Sequence, residues 1–478
     1  MKRISVFIIA MMLSFSCSDD FSDINDNPKR ATTAPAATLF SNAEKNLMDI
    51  MTTPNVNSNV FRLLAQQWTE TTYTDESRYD LSTRNIPQNF WNALYRDVLL
   101  DLREAKRQVE AADPNFTDPT ENQNQLAIAE ILEVYTWYVL ETTFGNIPYS
   151  QALDIDNVFP EYEDARTIHT DLIARITTAV NSLNVEGGSY GAADLIYRGD
   201  TEKWRRFGNT LKLKLGMMLA DVDAATAGTV VSEAVTAGVM QSNEDNATLN
   251  YLESPPNTNP IWVNLVQSGR KDFVAANTIV DRMVALNDPR VPYFFTIDAE
   301  EGYSGGIYGT SNNYSTFSKP SDAITDPTFP GTLMSYSETE FLIAEAAARG
   351  FTVPGSVEEH YEAAITASIL EWGGTEEEAA SYLSQAGVAY ATAPGDFREK
   401  IGTQKWIALY NRGHEAWVEY RRLDAPELNP VEDPIGPFPL RFTYPVSEQN
   451  LNTRSYEDAS SAIGGDVVTT PLFWDVTQ

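Results

Sequence analysis

Between residues 125 and 144 the chain reads QLAIAEILEVYTWYVLETTF. This run is apolar almost all round, with Glu130, Glu133 and Glu141 sharing one side, which predicts a helix packed between other helices. It should stop at Gly145, and Pro148 cannot continue it. Two further helices are expected over 165–183 and 201–222, the second opened by Asp200 as N-cap ahead of Thr201, Glu202 and Lys203.

Further on, Ser337 and Glu340 have the spacing of a capping box and lead into FLIAEAAARGF, where Ala344, Ala347 and Ala348 would let a second helix approach closely. After a turn at 350–355, Tyr361, Ile365, Ser368 and Trp372 recur at helical spacing. Small residues on one helix facing aromatics on the next, joined by a short turn with Pro, is the arrangement of a tetratricopeptide pair, although no strict period of about 34 residues repeats. A last helix is expected over 404–421, with Trp406, Tyr410, Gly413, Trp417 and Tyr420 in one stripe that should pack in the core, as should Trp68, Trp91, Trp137, Trp204 and Trp372. The fold class is all-α with long irregular loops. Gly- and Pro-rich stretches at 251–260 and 302–335 interrupt the helices without changing their character, so one large domain is expected, a two-domain split being the alternative.

The N-terminus changes the setting. MKRISVFIIAMMLSFS has a basic start at Lys2 and Arg3, an apolar stretch from Val6 to Leu13 and small residues before Cys17, the layout of a signal peptide over residues 1–16. Its apolar run is far shorter than the roughly 20 residues that cross a bilayer as a helix, and no other segment comes close. Cys17 is the sole cysteine, so no intrachain disulfide can form, and its place directly after the signal segment makes it the expected lipidation site. Ser16 suits a lipoprotein peptidase, while Ser14 and Phe15 depart from the usual lead and Leu13 is displaced by one. Several acyl chains on that residue would anchor the protein stably. Ser18, Asp19 and Asp20 then resemble the acidic tag that exports lipoproteins of the Bacteroidetes group to the cell surface. Residues up to 36 are polar and rich in Pro, Thr and Ala and read as a tether; their Asp/Asn cluster lacks EF-hand spacing.

Composition narrows the partners. A formal net charge of −33, two units more negative once Lys2 and Arg3 leave, repels nucleic acid and anionic membrane surfaces. With 42% apolar and 11% aromatic residues the chain can still bury a large core, so the acidity belongs to a solvated exterior and not to disorder.

Seven strings in order carry a resemblance: FGNIPYSQAL at 144–153, YRGDTEKWRRFGNTLKLKLGMML at 197–219, NDPRVPYFF at 287–295, YSETEFLIAEAAARGF at 336–351, QKWIALYNRGHEAWVEYRRLDAP at 404–426, LRFTYPVSEQNLN at 440–452 and LFWD at 472–475. Together they resemble the SusD/RagB family of nutrient-binding outer-membrane lipoproteins, over nearly the whole mature chain. The resemblance implies a SusD-like helical fold over residues 37–478, with tetratricopeptide-type pairs on one flank and loops forming the binding surface. It also implies a surface-exposed, lipid-anchored protein of the outer membrane. Such a protein captures an oligosaccharide, or alternatively a peptide, and delivers it to a SusC-like TonB-dependent transporter.

Sugars stack their apolar CH faces on aromatic rings while nearby amides and carboxylates bond the hydroxyls, so aromatics on loops are the candidate contacts. The richest loop is GYSGGIYGTSNNYSTF at 302–317, with Tyr303, Tyr308, Tyr314 and the pair Asn312 and Asn313. Tyr73 and Tyr79 in TTYTDESRYDLS, and Trp262 after SPPNTNP, complete the set. For each of these rings the competing reading is that it pins its own loop to the body.

Catalysis finds little support. Cys17 is committed to lipid, and His169, His360 and His414 lie far apart with no metal spacing. His414 and Glu415 begin an HExxH pattern that fails at Val418, and no GxSxG elbow or phosphate-cradling glycine loop occurs. A glycosidase needs only two carboxylates, which a chain with 67 acids always offers, so a glycan hydrolase and a surface adhesin remain the minor alternatives to binding without chemistry. No metal, cofactor or catalytic residue is assigned.

Overall fold

The computed structural model describes residues 34–476. The signal peptide, Cys17 and most of the tether lie outside the described residues, and Ala36–Gln478 forms a single unit. Helices build its body. α1 (Ala36–Thr52) is followed by α2 (Ile86–Asn92), which runs through a π-helical turn at Ala93–Leu99 into α3 (Leu100–Glu110). Then come α4 (Pro119–Phe144), α5 (Ala165–Ser182), α6 (Thr201–Met218) and α7 (Ala224–Ala237), each packed on the one before. The second half holds α8 (Asn277–Ala285), α9 (Tyr336–Ala348), α10 (Val357–Glu371), α11 (Glu376–Leu383), α12 (Phe397–Ala408), α13 (Gly413–Leu423) and α14 (Thr453–Ala462).

The strands are short antiparallel pairs that tie loops to this body: β1 (Trp68–Glu70) with β5 (Phe273–Ala275), β2 (Ile147–Pro148) with β3 (Tyr162–Glu163), and β4 (Ala247–Leu249) with β6 (Gly331–Met334). Among the described residues no helix is long and apolar enough to cross a membrane.

α4 is the axis of the fold. Asp118 caps it by accepting from the Thr120 N–H at 2.8 Å, Pro119 fits the first position, where no N–H is needed, and Gly145 ends it at φ +82°. The helix is buried nearly all round, so its carboxylates need partners. Lys106 of α3 and Arg175 of α5 supply them: Glu133 lies 3.0 Å from Lys106 and 2.7 Å from Arg175, and Glu130 2.5 Å from Arg175. Glu141 meets His169 of α5 at 3.0 Å, with both side chains fully buried. The Asp200 cap of α6 is present, accepting from the Lys203 N–H at 3.0 Å, while α6 itself stops at Met218, earlier than expected.

α9 and α10 form the expected pair, with Phe341, Ala344, Tyr361 and Ile365 in one buried cluster. Its cap sits two residues earlier than the sequence spacing suggested: Ser335, not Ser337, accepts from the Glu338 N–H at 3.3 Å. The Ser337 hydroxyl instead donates across the pair to the Ala364 carbonyl at 2.7 Å, and Glu340 pairs with His360 of α10 at 2.5 Å. The expected helix over 404–421 is two helices. Asn411 takes a left-handed φ of +68°, its N–H donates to Gln67 Oε1 at 3.1 Å, and Gly413 lies so close to the Phe61–Arg62 backbone that a Cβ would stand 2.4 Å from the Arg62 nitrogen. Trp406, Tyr410, Gly413 and Trp417 are still core, Tyr420 is partly exposed, Trp68 belongs to a strand, and Trp372 is half-buried at the end of α10.

A buried ionic array joins α6, α9, α12 and α13. Lys214 bonds both Glu338 and Glu415, and Arg412 reaches Glu338 at 2.6 Å. Lys405 stands 2.9 Å from Glu419, which Arg422 also holds at 2.6 Å while bonding Glu345. Burial pulls the Lys214 ammonium down, but the two carboxylates beside it outweigh that and hold it above the usual lysine range. Burial likewise pushes Glu419 up, yet Arg422 and Lys405 bring it to about 2.

Candidate functional site

The β1–β5 pair is the platform on which the candidate loops meet. Its register sets Trp68 opposite Ala275, Thr69 opposite Val274 and Glu70 opposite Phe273. The segment 302–317 continues this edge: the Gly306 N–H donates to the Ala275 carbonyl and the Asn277 N–H to the Gly306 carbonyl, both at 2.8 Å. Gly305 is required here, because a Cβ would come within 2.3 Å of the Asn277 nitrogen.

Asn312 clamps the loop tip. Its backbone N–H donates to the Thr71 carbonyl at 2.9 Å, and its carboxamide NH2 is shared among the carbonyls of Thr310 at 2.7 Å, Ile307 at 3.0 Å and Glu70 at 3.1 Å.

The six candidate rings separate by exposure and contact. Tyr73 is 71% exposed and lines a cleft of about 370 Å³ together with Arg84, Arg270, Asp272 and Phe273. Tyr308 is 1% exposed, and its hydroxyl donates to the Leu63 carbonyl at 2.7 Å, so in this structure the ring fastens the loop to the body. Tyr79, at φ +71°, is half-buried between Tyr308 at 6.5 Å and Phe438 at 5.5 Å. Tyr314 is half-buried between the ammonium groups of Lys319 at 5.2 Å and Lys271 at 5.6 Å. Tyr303 packs against the hydrophobic cluster around Phe294. Trp262 ends a single turn at Pro260–Trp262, next to the exposed Val263 and Val266.

Sequence reasoning missed Arg84, Arg270 and Asp272. Their only signal is charge beside predicted loops, which most solvated faces share.

Under the cleft lies a pair of acids. Glu70 Oε2 accepts from the backbone N–H and the hydroxyl of Ser77, both at 2.9 Å, and Glu76 pairs with Arg84. Burial, with Glu76 next to it, pushes the Glu70 carboxyl up to about 9, so near neutral pH it carries a proton. That proton gives the buried Glu76 Oε2, which has no other partner, a donor to accept from. The two acids and Ser77 therefore hold the start of the 71–85 loop closed on β1. Arg270 and Asp272 stay loosely paired at 3.8 Å and largely exposed, free to bond a ligand's hydroxyls. Among the described residues no group of three or more His, Cys, Asp or Glu side chains is placed to hold a metal ion.

An exposed ring, two guanidinium groups and a carboxylate thus share one open cleft on the helical body. The chain belongs to the SusD-like family, described as starch-binding and associating with the outer membrane; the match spans residues 28–445. It is a family of binding proteins. Among solved structures, a chitin-binding protein is 25% identical and superposes with a TM-score of 0.81, covering 92% of this chain and 100% of that one. A chitin-binding SusD homologue from Flavobacterium johnsoniae is also 25% identical, with a TM-score of 0.80 over 93% of this chain and 99% of its own. A SusD homologue from Bacteroides thetaiotaomicron, 24% identical with a TM-score of 0.78 over 93% of this chain and 100% of its own, shares the fold. No match is found among curated proteins.

Proposed function

We propose that the protein captures an oligosaccharide at the cell surface and passes it to a SusC-like TonB-dependent transporter, without chemical change to the sugar. The reading rests on the exposure of Tyr73, whose ring projects from a loop tied to β1 beside Arg84, Arg270 and Asp272. A pyranose stacked on that ring would find charged donors and an acceptor within the same cleft. Family membership and the two chitin-binding relatives favour a glycan over a peptide. Lipid on Cys17 would hold the receptor at the outer membrane, with residues 17–36 as the tether and 37–478 as the binding domain. Tyr314 and Trp262, on other loops, are further candidate contacts.

The test is calorimetric titration of the mature protein with chitooligosaccharides and malto-oligosaccharides. Saturable binding that Tyr73→Ala weakens about tenfold or more, with no reducing ends released on long incubation, supports the proposal. Equal affinity in wild type and Tyr73→Ala removes the cleft from the account, and release of reducing ends overturns capture without chemistry.

A further inference from the structure

A second cavity, of about 440 Å³, lies away from the Tyr73 cleft and shares no lining residue with it. It opens between the end of α10, the β4–β6 ribbon and the break between α12 and α13. One wall is aromatic: Trp372 and Phe329, both half-buried, stand 5.9 Å apart, and Trp372 is braced from behind by Phe294 at 4.5 Å. The opposite lining is polar and incompletely satisfied. Arg412 Nε, Asn243 Oδ1 and His414 Nδ1 are buried atoms with no hydrogen-bond partner; the nearest carboxylate oxygen to His414 Nδ1, on Glu415, is 3.6 Å away. Those three atoms are closed off from solvent, so a ligand's hydroxyls would meet the side chains of Asn243, Asn246 and Arg412 at the atoms that remain accessible on the lining.

Charge defines what fits. At the floor, the cations Lys214 and Arg412 are matched by Glu338 and Glu415, leaving no net charge to attract an anion. Glu244 and Glu371 lie at the rim, with Glu371 held on one side by the Asn246 carboxamide at 3.2 Å. Burial pushes the Glu371 carboxyl up to about 7, so near neutral pH it carries part of its charge and a bound ammonium group would favour its ionised form. An anionic ligand is therefore repelled, and a neutral or amine-bearing one is not. The volume is at the lower end of small-molecule sites, enough for one or two sugar rings rather than a chain.

We propose that this cavity is a second binding site, separate from the capture cleft, for a short saccharide that is neutral or carries an amine, with its ring stacked on Trp372. The proposal does not depend on the Tyr73 cleft binding glycan. The probes are methyl glucoside, glucosamine and glucuronate, titrated by ligand-observed NMR. In the wild type the first two bind saturably with dissociation constants in the millimolar range, and glucuronate does not. Trp372→Leu, which keeps an apolar filling without a flat face, weakens both about tenfold, as loss of a stacking anchor does. Glu371→Gln weakens glucosamine and spares methyl glucoside. Tyr73→Ala leaves all of this unchanged, and circular dichroism confirms that each variant is folded. Three results would each overturn the site: no saturable binding of methyl glucoside or glucosamine, equal binding by folded Trp372→Leu, or glucuronate binding as well as glucosamine.

Discussion

The Tyr308 hydroxyl donates to the Leu63 carbonyl at 2.7 Å, from a ring that is 1% exposed. A tyrosine in a loop of glycines and asparagines thus anchors that loop on the helical body. Tyr308→Phe removes one of two bonds to the Leu63 carbonyl, which keeps the Gln66 N–H at 2.8 Å, and is expected to lower stability by about 0.5–1.5 kcal/mol. Tyr308→Ala also opens a cavity and is expected to cost about 3–5 kcal/mol. Denaturant unfolding of the two variants separates the bond from the ring; a Tyr308→Phe variant as stable as the wild type would show that the hydroxyl contributes nothing.

Tyr73 should behave in the opposite way. Being 71% exposed, it can be replaced by Ala with a stability change within about 0.5 kcal/mol. Affinity for the glycan should fall about tenfold or more. Thermal unfolding and titration on the same preparation check both halves.

The Glu70 carboxyl gives the fold a pH dependence of known sign. Its folded pKa, about 9, lies above its ordinary value of 4.5, so the native state holds the proton longer than the unfolded chain does. Its contribution is fully present below about pH 4.5 and is lost as pH rises through about 9. Glu70→Gln keeps an acceptor for Ser77 and a donor for Glu76 without a titrating proton. The variant should match the wild type near pH 4 and exceed it in stability near pH 9, measured by urea unfolding across that range.

Lys214 is fully buried between Glu338 and Glu415. Lys214→Met leaves buried carboxylate charge uncompensated and should cost about 3–5 kcal/mol. Adding Glu415→Gln should recover part of that loss. A double variant no more stable than the single one would show that Glu415 is not the carboxylate left exposed to the penalty.

Local signals were enough for much of the scaffold. Asp200 and Gly145 start and stop helices by chemistry contained in a few neighbouring residues, and α4 is recognisable because a run apolar on every side has to be covered. The break at 409–412 was hidden because Trp406, Tyr410, Gly413 and Trp417 keep helical spacing across it. Its causes, Gln67 and the Phe61–Arg62 backbone, lie more than three hundred residues away in sequence. The same limit applies to the site. Alternating tyrosine and glycine marks a loop, but Tyr73 outside and Tyr308 inside differ only in what the rest of the chain brings next to them. Arg270 and Asp272 reach the cleft because β5 pairs with β1, a contact across two hundred residues that no local pattern encodes.

The Asn312 clamp bears on how specificity in such a receptor can change. With its carboxamide divided among three carbonyls, the 302–317 segment is already set in shape before any sugar arrives, so recognition loses little entropy there and gains little by altering it. Variation between receptors for different diets would then be written into the 71–85 segment and the charged run before β5, while the clamped loop stays as a common frame.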